Sequence, residues 1–223
     1  MKRISKAIGL VLLIATTISS NTSAQENQDT RAKYKTRLGL KGGINFSNLF
    51  TEDKKAEKDN VLAGFNVGLF AKLPLAKFIA IQPELYFTTK GAEITYANAF
   101  VDGTAHFRLN YIELPVLVVV NITDNLNIHA GPYAAYLING NVKNESNINL
   151  FDFEKNINDD SYNRFDGGLQ LGAAIDIGTL SLGARYSYGL TKVGRENNFL
   201  GTSYTFPNAH NGVMNFYLAV SLN

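Results

Sequence analysis

The sequence predicts an all-β fold, an eight-stranded antiparallel up-and-down transmembrane β-barrel. Three observations carry that reading. After residue 36 the chain runs as eight stretches in which apolar and polar residues alternate. The links between them switch between short and long. An export-like segment precedes them all. Alternation gives each strand one apolar and one polar face, which suits lipid outside and a polar interior inside.

Residues 1–24 read as a secretory signal peptide. Lys2, Arg3 and Lys6 form its charged start, Ile8 to Ala15 its apolar core, and Thr22, Ser23 and Ala24 the small residues before a cut at Ala24/Gln25. A membrane-anchoring helix fits less well, because the apolar run is shorter than the ~20 residues a span needs. Loss of three cations takes the formal charge from +2 to −1, a balance that gives no support to nucleic-acid binding. The chain has no cysteine, which excludes thiol catalysis and thiolate metal sites. A mean hydropathy of −0.07 fits a barrel in which only alternate residues meet lipid. Residues 25–36 are polar and aperiodic and read as a flexible periplasmic leader, leaving 37–223 as one barrel domain.

The first stretch, about 37–47, sets Leu38, Leu40, Ile44 and Phe46 against Lys41, Gly43, Asn45 and Ser47. After the charged link 48–60, the second, about 61–73, sets Phe65, Val67, Leu69, Ala71 and Leu73 against Gly64, Asn66, Gly68 and Lys72. The link Pro74–Lys77 is short. The third, about 78–92, sets Ile79, Ile81, Pro83, Leu85 and Phe87 against Gln82, Glu84, Tyr86 and Thr88. Pro83 cannot donate to a ladder, so a bulge or kink is expected there. A long link, 93–104, follows.

The fourth stretch, about 105–121, sets Ile112, Leu114, Val116, Val118 and Val120 against Tyr111, Glu113, Pro115 and Asn121. Pro115 is expected to bend it through a second bulge. After a turn at Thr123–Asn125, the fifth, about 126–140, sets Leu126, Ile128, Ala130, Ala134 and Tyr136 against Asn127, His129, Gly131, Tyr133 and Asn139. The link 141–163 is long and rich in Asn and Asp. The sixth, about 164–177, sets Phe165, Leu169, Leu171, Ala173, Ile175 and Ile177 against Arg164, Asp166, Gly168, Gln170, Gly172 and Asp176. Gly178-Thr179 turns into the seventh, about 180–189, with Leu180, Leu182, Ala184, Tyr186 and Tyr188 opposite Ser181, Gly183, Arg185, Ser187 and Gly189. The long link 190–211 leads to the eighth, about 212–222, with Met214, Phe216, Leu218, Val220 and Leu222 opposite Asn215, Tyr217 and Ser221.

Four long and three short links in strict alternation place all short turns and both termini at one end. That is the topology of an outer-membrane barrel, with short periplasmic turns and longer extracellular loops. A soluble lipocalin-like barrel would put the apolar face inside. The glycine-rich polar face suits a narrow interior instead. Phe46, Phe65, Phe87, Tyr136, Phe165, Tyr186, Tyr188 and Phe216 on the apolar face suit interfacial aromatic girdles.

Four segments carry a family resemblance: LGLKGGINFSN (38–48), QPELYF (82–87), YIELPVLV (111–118) and FDGGLQLGAAIDIG (165–178). They resemble the porin-like or PorT-like outer-membrane β-barrel family over about 37–223, with YIELPVLV the most specific piece. The resemblance implies eight antiparallel strands in the outer membrane of a Gram-negative cell and, for some relatives, a tie to protein secretion. It implies no single activity. The chain departs from the wider outer-membrane pattern by ending on Asn223 rather than an aromatic, although Phe216 and Tyr217 lie in its last stretch.

Candidate chemistry is confined to a few groups. Lys41, Lys72, Glu84, Glu113, Asp166, Asp176 and Arg185 fall on the polar face and form the expected lumen charge network. Eight strands leave an interior just wide enough for side chains, and unpaired charges there are costly. Glu84 and Glu113 are therefore expected to pair with Lys41 or Arg185. The plain reading is a structural plug, the sharper one a narrow ion path.

Catalysis finds little support. His106 and His210 fall near the long-loop end with Ser203, but there is no G-x-S-x-G element. Asp152, Glu154, Asp159 and Asp160 lack the spacing of a calcium loop. No catalytic, metal or cofactor site is expected. Asn21-Thr22-Ser23 and Asn144-Glu145-Ser146 match the glycosylation triplet by chance. The function expected is a non-enzymatic structural or binding barrel presenting its extracellular loops, the mixed-charge run TEDKKAEKDN among them. The alternatives are a narrow porin-like channel, a secretion-apparatus component and a loop-end lipid-modifying enzyme. Partners expected are outer-membrane lipid and, through the loops, an extracellular ligand or secretion-system protein. The chain is expected to be a monomer that binds no nucleic acid.

Overall fold

The computed structural model describes residues 35–51, 59–97, 102–146, 153–156, 163–191, 198–199, 202–203 and 209–222. The expected signal peptide and residues 25–34 of the leader lie outside them. Eight long strands are present among the described residues: β1 Arg37–Thr51, β2 Leu62–Ala76, β3 Ile79–Ala97, β4 Asp102–Asn121, β5 Leu126–Ser146, β6 Phe165–Ile177, β7 Leu180–Gly189 and β8 Ala209–Ser221. Each pairs antiparallel with its sequence neighbour. β1 also pairs with β8, from Gly39↔Ser221 to Thr51↔Ala209. The sheet therefore closes on itself as an up-and-down barrel.

The faces follow from side-chain alternation. Leu40, Ile44, Val67, Leu69, Val116, Val118, Leu169, Leu171, Leu182 and Leu218 are exposed on the outer face. Lys41, Asn45, Glu84, Glu113, Asp166, Gln170 and Arg185 are buried inside. In water the first set would be unstable. In lipid it is the favoured outer surface, and closure leaves no unpaired edge in the hydrocarbon. Aromatic pairs gird the outer face towards the loop end. Phe46 meets Phe216 edge-on at 6.2 Å between ring centroids, Phe65 meets Phe87 at 5.7 Å, and Tyr136 meets Phe165 at 5.1 Å.

Several sequence expectations need correction. The link expected over 93–104 is mostly strand, since β3 and β4 stay paired up to Ala97↔Asp102. β5 likewise runs on to Ser146, and Phe153–Asn156 pairs with it. Main-chain ladder bonds hold these segments in strands, whose alternation is too short over Glu93–Ala97 and too weak over Asn141–Ser146 to reveal them by periodicity. Beyond the belt, β3, β4 and β5 project as a taller wall. The eight steps from Asn110 back to Asp102 correspond to roughly 25–30 Å at ~3.4 Å per residue.

The proline bulges are also misplaced. The β3–β4 ladder breaks after Pro83↔Val116 and resumes at Tyr86↔Glu113 in the same register. The β4–β5 ladder breaks after Pro115↔Tyr133 and resumes at Val118↔Ala130, again without a shift. The prolines interrupt pairing, but no residue is inserted. The register shifts lie at Pro74/Ala76 and at Asn110/Tyr111. The second pairs Asn110 with Asn139 but Tyr111 with Leu137. The extra residue turns Asn139, expected inside, to the outer face, where Asn110 Nδ2 donates to its Oδ1 at 2.7 Å. At the tight turn, Gly178 has φ of 63°, a left-handed value that glycine adopts without strain.

Replacing Leu171, which is 64% exposed mid-strand on the outer face, by Arg is expected to destabilise the barrel by about 2–4 kcal/mol. Urea unfolding in lipid vesicles measures this. An unchanged midpoint would mean that this face does not meet lipid.

Candidate functional site

The interior of the barrel is the candidate site, and its sequence logic is local. Each strand sends alternate residues inward, and small residues on some strands make room for long ones on others. A Cβ at Gly183 would collide with the Tyr217 ring, and one at Gly172 would meet His129 Nε2 and the Arg185 backbone. These glycines on β6 and β7 let Arg185, Tyr217 and His129 fold across a lumen that eight strands keep narrow.

The charges lie in three tiers. At the short-turn end, Lys72 Nζ lies 3.2 Å from Asp176 Oδ2 and donates to Asn121 Oδ1 at 3.3 Å. Asn127 Nδ2 and Ser181 Oγ also donate to Asp176, at 3.0 and 2.6 Å. In the middle tier, Arg185 grips Glu84 with both terminal nitrogens, at 2.7 and 2.9 Å. Lys41 Nζ adds a contact at 3.1 Å and Gln82 Nε2 one at 2.8 Å. The Lys41 ammonium also sits 3.8 Å from the Tyr217 ring centroid. Bidentate, charge-assisted bonds of this kind are the strong ones.

The third tier lies towards the loops. Lys90 Nζ bridges Glu113 Oε2 and Asp166 Oδ2, the latter at 3.0 Å. Tyr86 donates to Glu113 at 2.8 Å. Thr191, Asn211 and Tyr133 donate to Asp166 at 2.7, 3.0 and 3.2 Å. Gln170 couples the upper tiers, accepting from Arg185 at 3.2 Å and donating to Glu113 at 2.6 Å. Above them Asn45 Oδ1 accepts from Asn66 and Asn215 at 2.8 and 2.9 Å, and Asn45 Nδ2 donates to Thr88 at 2.8 Å.

Four cations, Lys41, Lys72, Lys90 and Arg185, thus face four carboxylates, Glu84, Glu113, Asp166 and Asp176. Formal charge cancels along the lumen and within the Lys72–Asp176 tier, but not within the middle and upper tiers. The middle tier has two cations on one carboxylate, and the upper has one cation between two carboxylates. Glu113 pairs with Lys90, not with Lys41 or Arg185 as the sequence suggested. Lys90, outside the expected set, also faces inward, and the alternation Gln82, Glu84, Tyr86, Thr88, Lys90 is the sequence signal for it. Lys72 and Asp176 form their own pair at the short-turn end. The polar lining is also incomplete, because Leu109, Leu117 and Val119 point inward on β4 at no more than 1% exposure. Large side chains fill the lumen, with Arg185, Tyr111, Lys90 and Glu113 each no more than 2% exposed.

The other candidates do not assemble. His106 Nδ1 lies 3.1 Å from Glu93 Oε2, and the His210 ring stacks on Tyr188 at 6.5 Å. The side chains of Ser203, Glu154 and the Asn144-Glu145-Ser146 triplet lie outside the described residues, as do Asp152, Asp159, Asp160 and most of the loop 1 charge run. At the short-turn mouth, a cavity of about 20 Å³ is lined by Arg37, Lys41, Lys72, Asn127, His129 and Asp176, among others.

A closed antiparallel barrel with an apolar exterior, an aromatic belt towards its loop end and a charge-matched interior defines an outer-membrane β-barrel. Sequence comparison agrees: the chain belongs to the outer membrane protein beta-barrel domain family, whose profile matches residues 23–194. No curated protein matches in sequence. Among solved structures the chain is similar to Neisserial surface protein A (NspA), with 13% identity, a TM-score of 0.50 and coverage of 83% of this chain and 97% of that one. It is also similar to Ail, the attachment invasion locus protein of Yersinia pestis, with 13% identity, a TM-score of 0.47 and coverage of 84% and 99%. At such identity the NspA likeness shows the fold alone.

Glu84→Gln is expected to destabilise the protein by about 3–5 kcal/mol, because Arg185 and Lys41 would stay buried without their carboxylate. Replacing Glu84 and Arg185 together by Met is expected to recover part of the loss. Urea midpoints of the two variants, read by gel mobility in unboiled samples, decide this. Equal midpoints for Glu84→Gln and the parent would remove the middle tier as a stabilising element.

Proposed function

We propose that the protein is a non-enzymatic outer-membrane scaffold that binds an extracellular ligand or partner through its loop end, with the lumen closed by its own side chains. One observation carries the reading: the Arg185–Glu84 and Lys90–Glu113–Asp166 tiers fill the lumen with buried, ion-paired side chains. Eight strands leave little room for solute beside such side chains. The projection of β3, β4 and β5 beyond the aromatic belt supports a role at the outer surface. Cleavage at Ala24/Gln25 and a monomeric state belong to the same proposal.

The second reading is a narrow channel, favoured by one feature: the charged tiers line up along the axis, as they would in an ion path. A secretion-apparatus role has only the sequence resemblance behind it. Planar-bilayer conductance of refolded residues 25–223 separates the first two readings. Silence is expected from protein whose heat-dependent gel mobility shows it folded. Discrete openings whose ion selectivity changes in Glu113→Gln and Arg185→Gln would establish the channel and sink the plugged scaffold.

A further inference from the structure

The short-turn mouth carries an inference that is independent of the loop end. Its cavity has room for about one water-sized occupant, with a volume of about 20 Å³. Three cations line it, Arg37, Lys41 and Lys72, against one carboxylate, Asp176. One step deeper, Arg185 shares Glu84 with Lys41, which adds to the local excess of positive charge.

The carboxylates around the cavity are already engaged. Asp176 receives Ser181 on Oδ1 and Lys72 and Asn127 on Oδ2. Glu84 receives Gln82, Arg185 and Lys41. With Asn127 Nδ2 donating to Asp176, its Oδ1 is left to accept from His129 Nδ1 at 3.1 Å. His129 Nε2 then accepts from the Tyr217 hydroxyl at 3.4 Å.

Donors, by contrast, remain. The Lys72 ammonium has three N–H bonds, and two of them reach Asn121 and Asp176. The Arg37 guanidinium has five and meets no hydrogen-bonding or ionic partner among the described residues. Gln82 donates one of its two amide hydrogens to Glu84. A wall rich in cationic donors, with its carboxylates engaged, favours an occupant that accepts hydrogen bonds and carries negative charge.

We propose that this vestibule is a binding site for a single small inorganic anion of chloride size, held between Arg37 and Lys72 with Lys41 behind it. The anion offsets the charge of Arg37 beside the Lys72–Asp176 pair and completes the plug from the short-turn side. Because its partners come from β1 and β2, it also pins the strand pair that begins the closed sheet, so barrel stability becomes dependent on halide.

The test uses protein extracted from the outer membrane into neutral detergent. The midpoint of its heat-dependent mobility change is followed against sodium chloride, bromide or gluconate at constant ionic strength, since gluconate is too large for the cavity. Chloride and bromide are expected to raise the midpoint saturably, and gluconate is not. Arg37→Gln should raise the half-saturating halide concentration by about tenfold, the loss of one charge-assisted bond, whereas Lys77→Gln at the neighbouring turn should leave it unchanged. Arg37 lies at the rim, outside the ion-pair tiers, so this variant is expected to fold. Crystals grown in bromide give a second, direct readout: an anomalous peak between Arg37 and Lys72. Superimposable halide and gluconate curves, or a vestibule without a bromide peak, would overturn the proposal and leave water as the occupant.

Discussion

Closure of β1 on β8 is the constraint on which everything else rests. In hydrocarbon no water is present to satisfy a free N–H or C=O, so an open sheet edge is not tolerated. The thirteen paired positions from Gly39↔Ser221 to Thr51↔Ala209 remove that edge. Once the sheet is closed, its two faces have opposite solvents, and each strand must alternate. The apolar positions Leu40, Ile44, Leu169 and Leu171, and the polar positions Lys41, Asn45, Asp166 and Gln170, are two consequences of one condition.

Closure at eight strands also fixes the interior. A lumen this narrow is filled by side chains, so any charge within it loses bulk water and needs a partner. The protein meets that need across strands. Glu84 on β3 is held by Arg185 from β7 and Lys41 from β1, and Lys90 on β3 is held by Glu113 from β4 and Asp166 from β6. Each pair ties together parts of the wall that are far apart in sequence. Such pairs add little net stability compared with apolar packing, but a one-residue slip of any strand would point its charge into lipid. The network therefore acts chiefly on register. Gln170 joins a tier with surplus positive charge to one with surplus negative charge, so the two tiers compensate each other as a unit.

Membership of the outer membrane protein beta-barrel domain family fits this picture of a closed wall with short turns at one end and loops at the other. The β3–β4–β5 extension and the small vestibule lie at opposite ends of the same plug. Any exchange between the two ends must pass the Arg185–Glu84 and Lys90–Glu113–Asp166 tiers. That physical separation is why the extracellular reading and the anion site are independent of one another.

The sequence by itself determined the strand count, the order of turns and which face of nearly every strand meets lipid. A period of two is a local property, and lipid punishes any exception. Lys41, Glu84, Asp166, Asp176 and Arg185 were legible as interior groups on that basis. Tertiary structure alone decided who meets whom. Whether Glu113 faces Lys90 or Arg185 depends on barrel stagger, which no single strand encodes. The outward turn of Asn139 arises from a bulge between two strands, and the same-register breaks at Pro83 and Pro115 depend on how their neighbours pair. The extension of β3 to Ala97 and of β5 to Ser146 rests on main-chain ladder bonds, which leave no mark in hydrophobic periodicity.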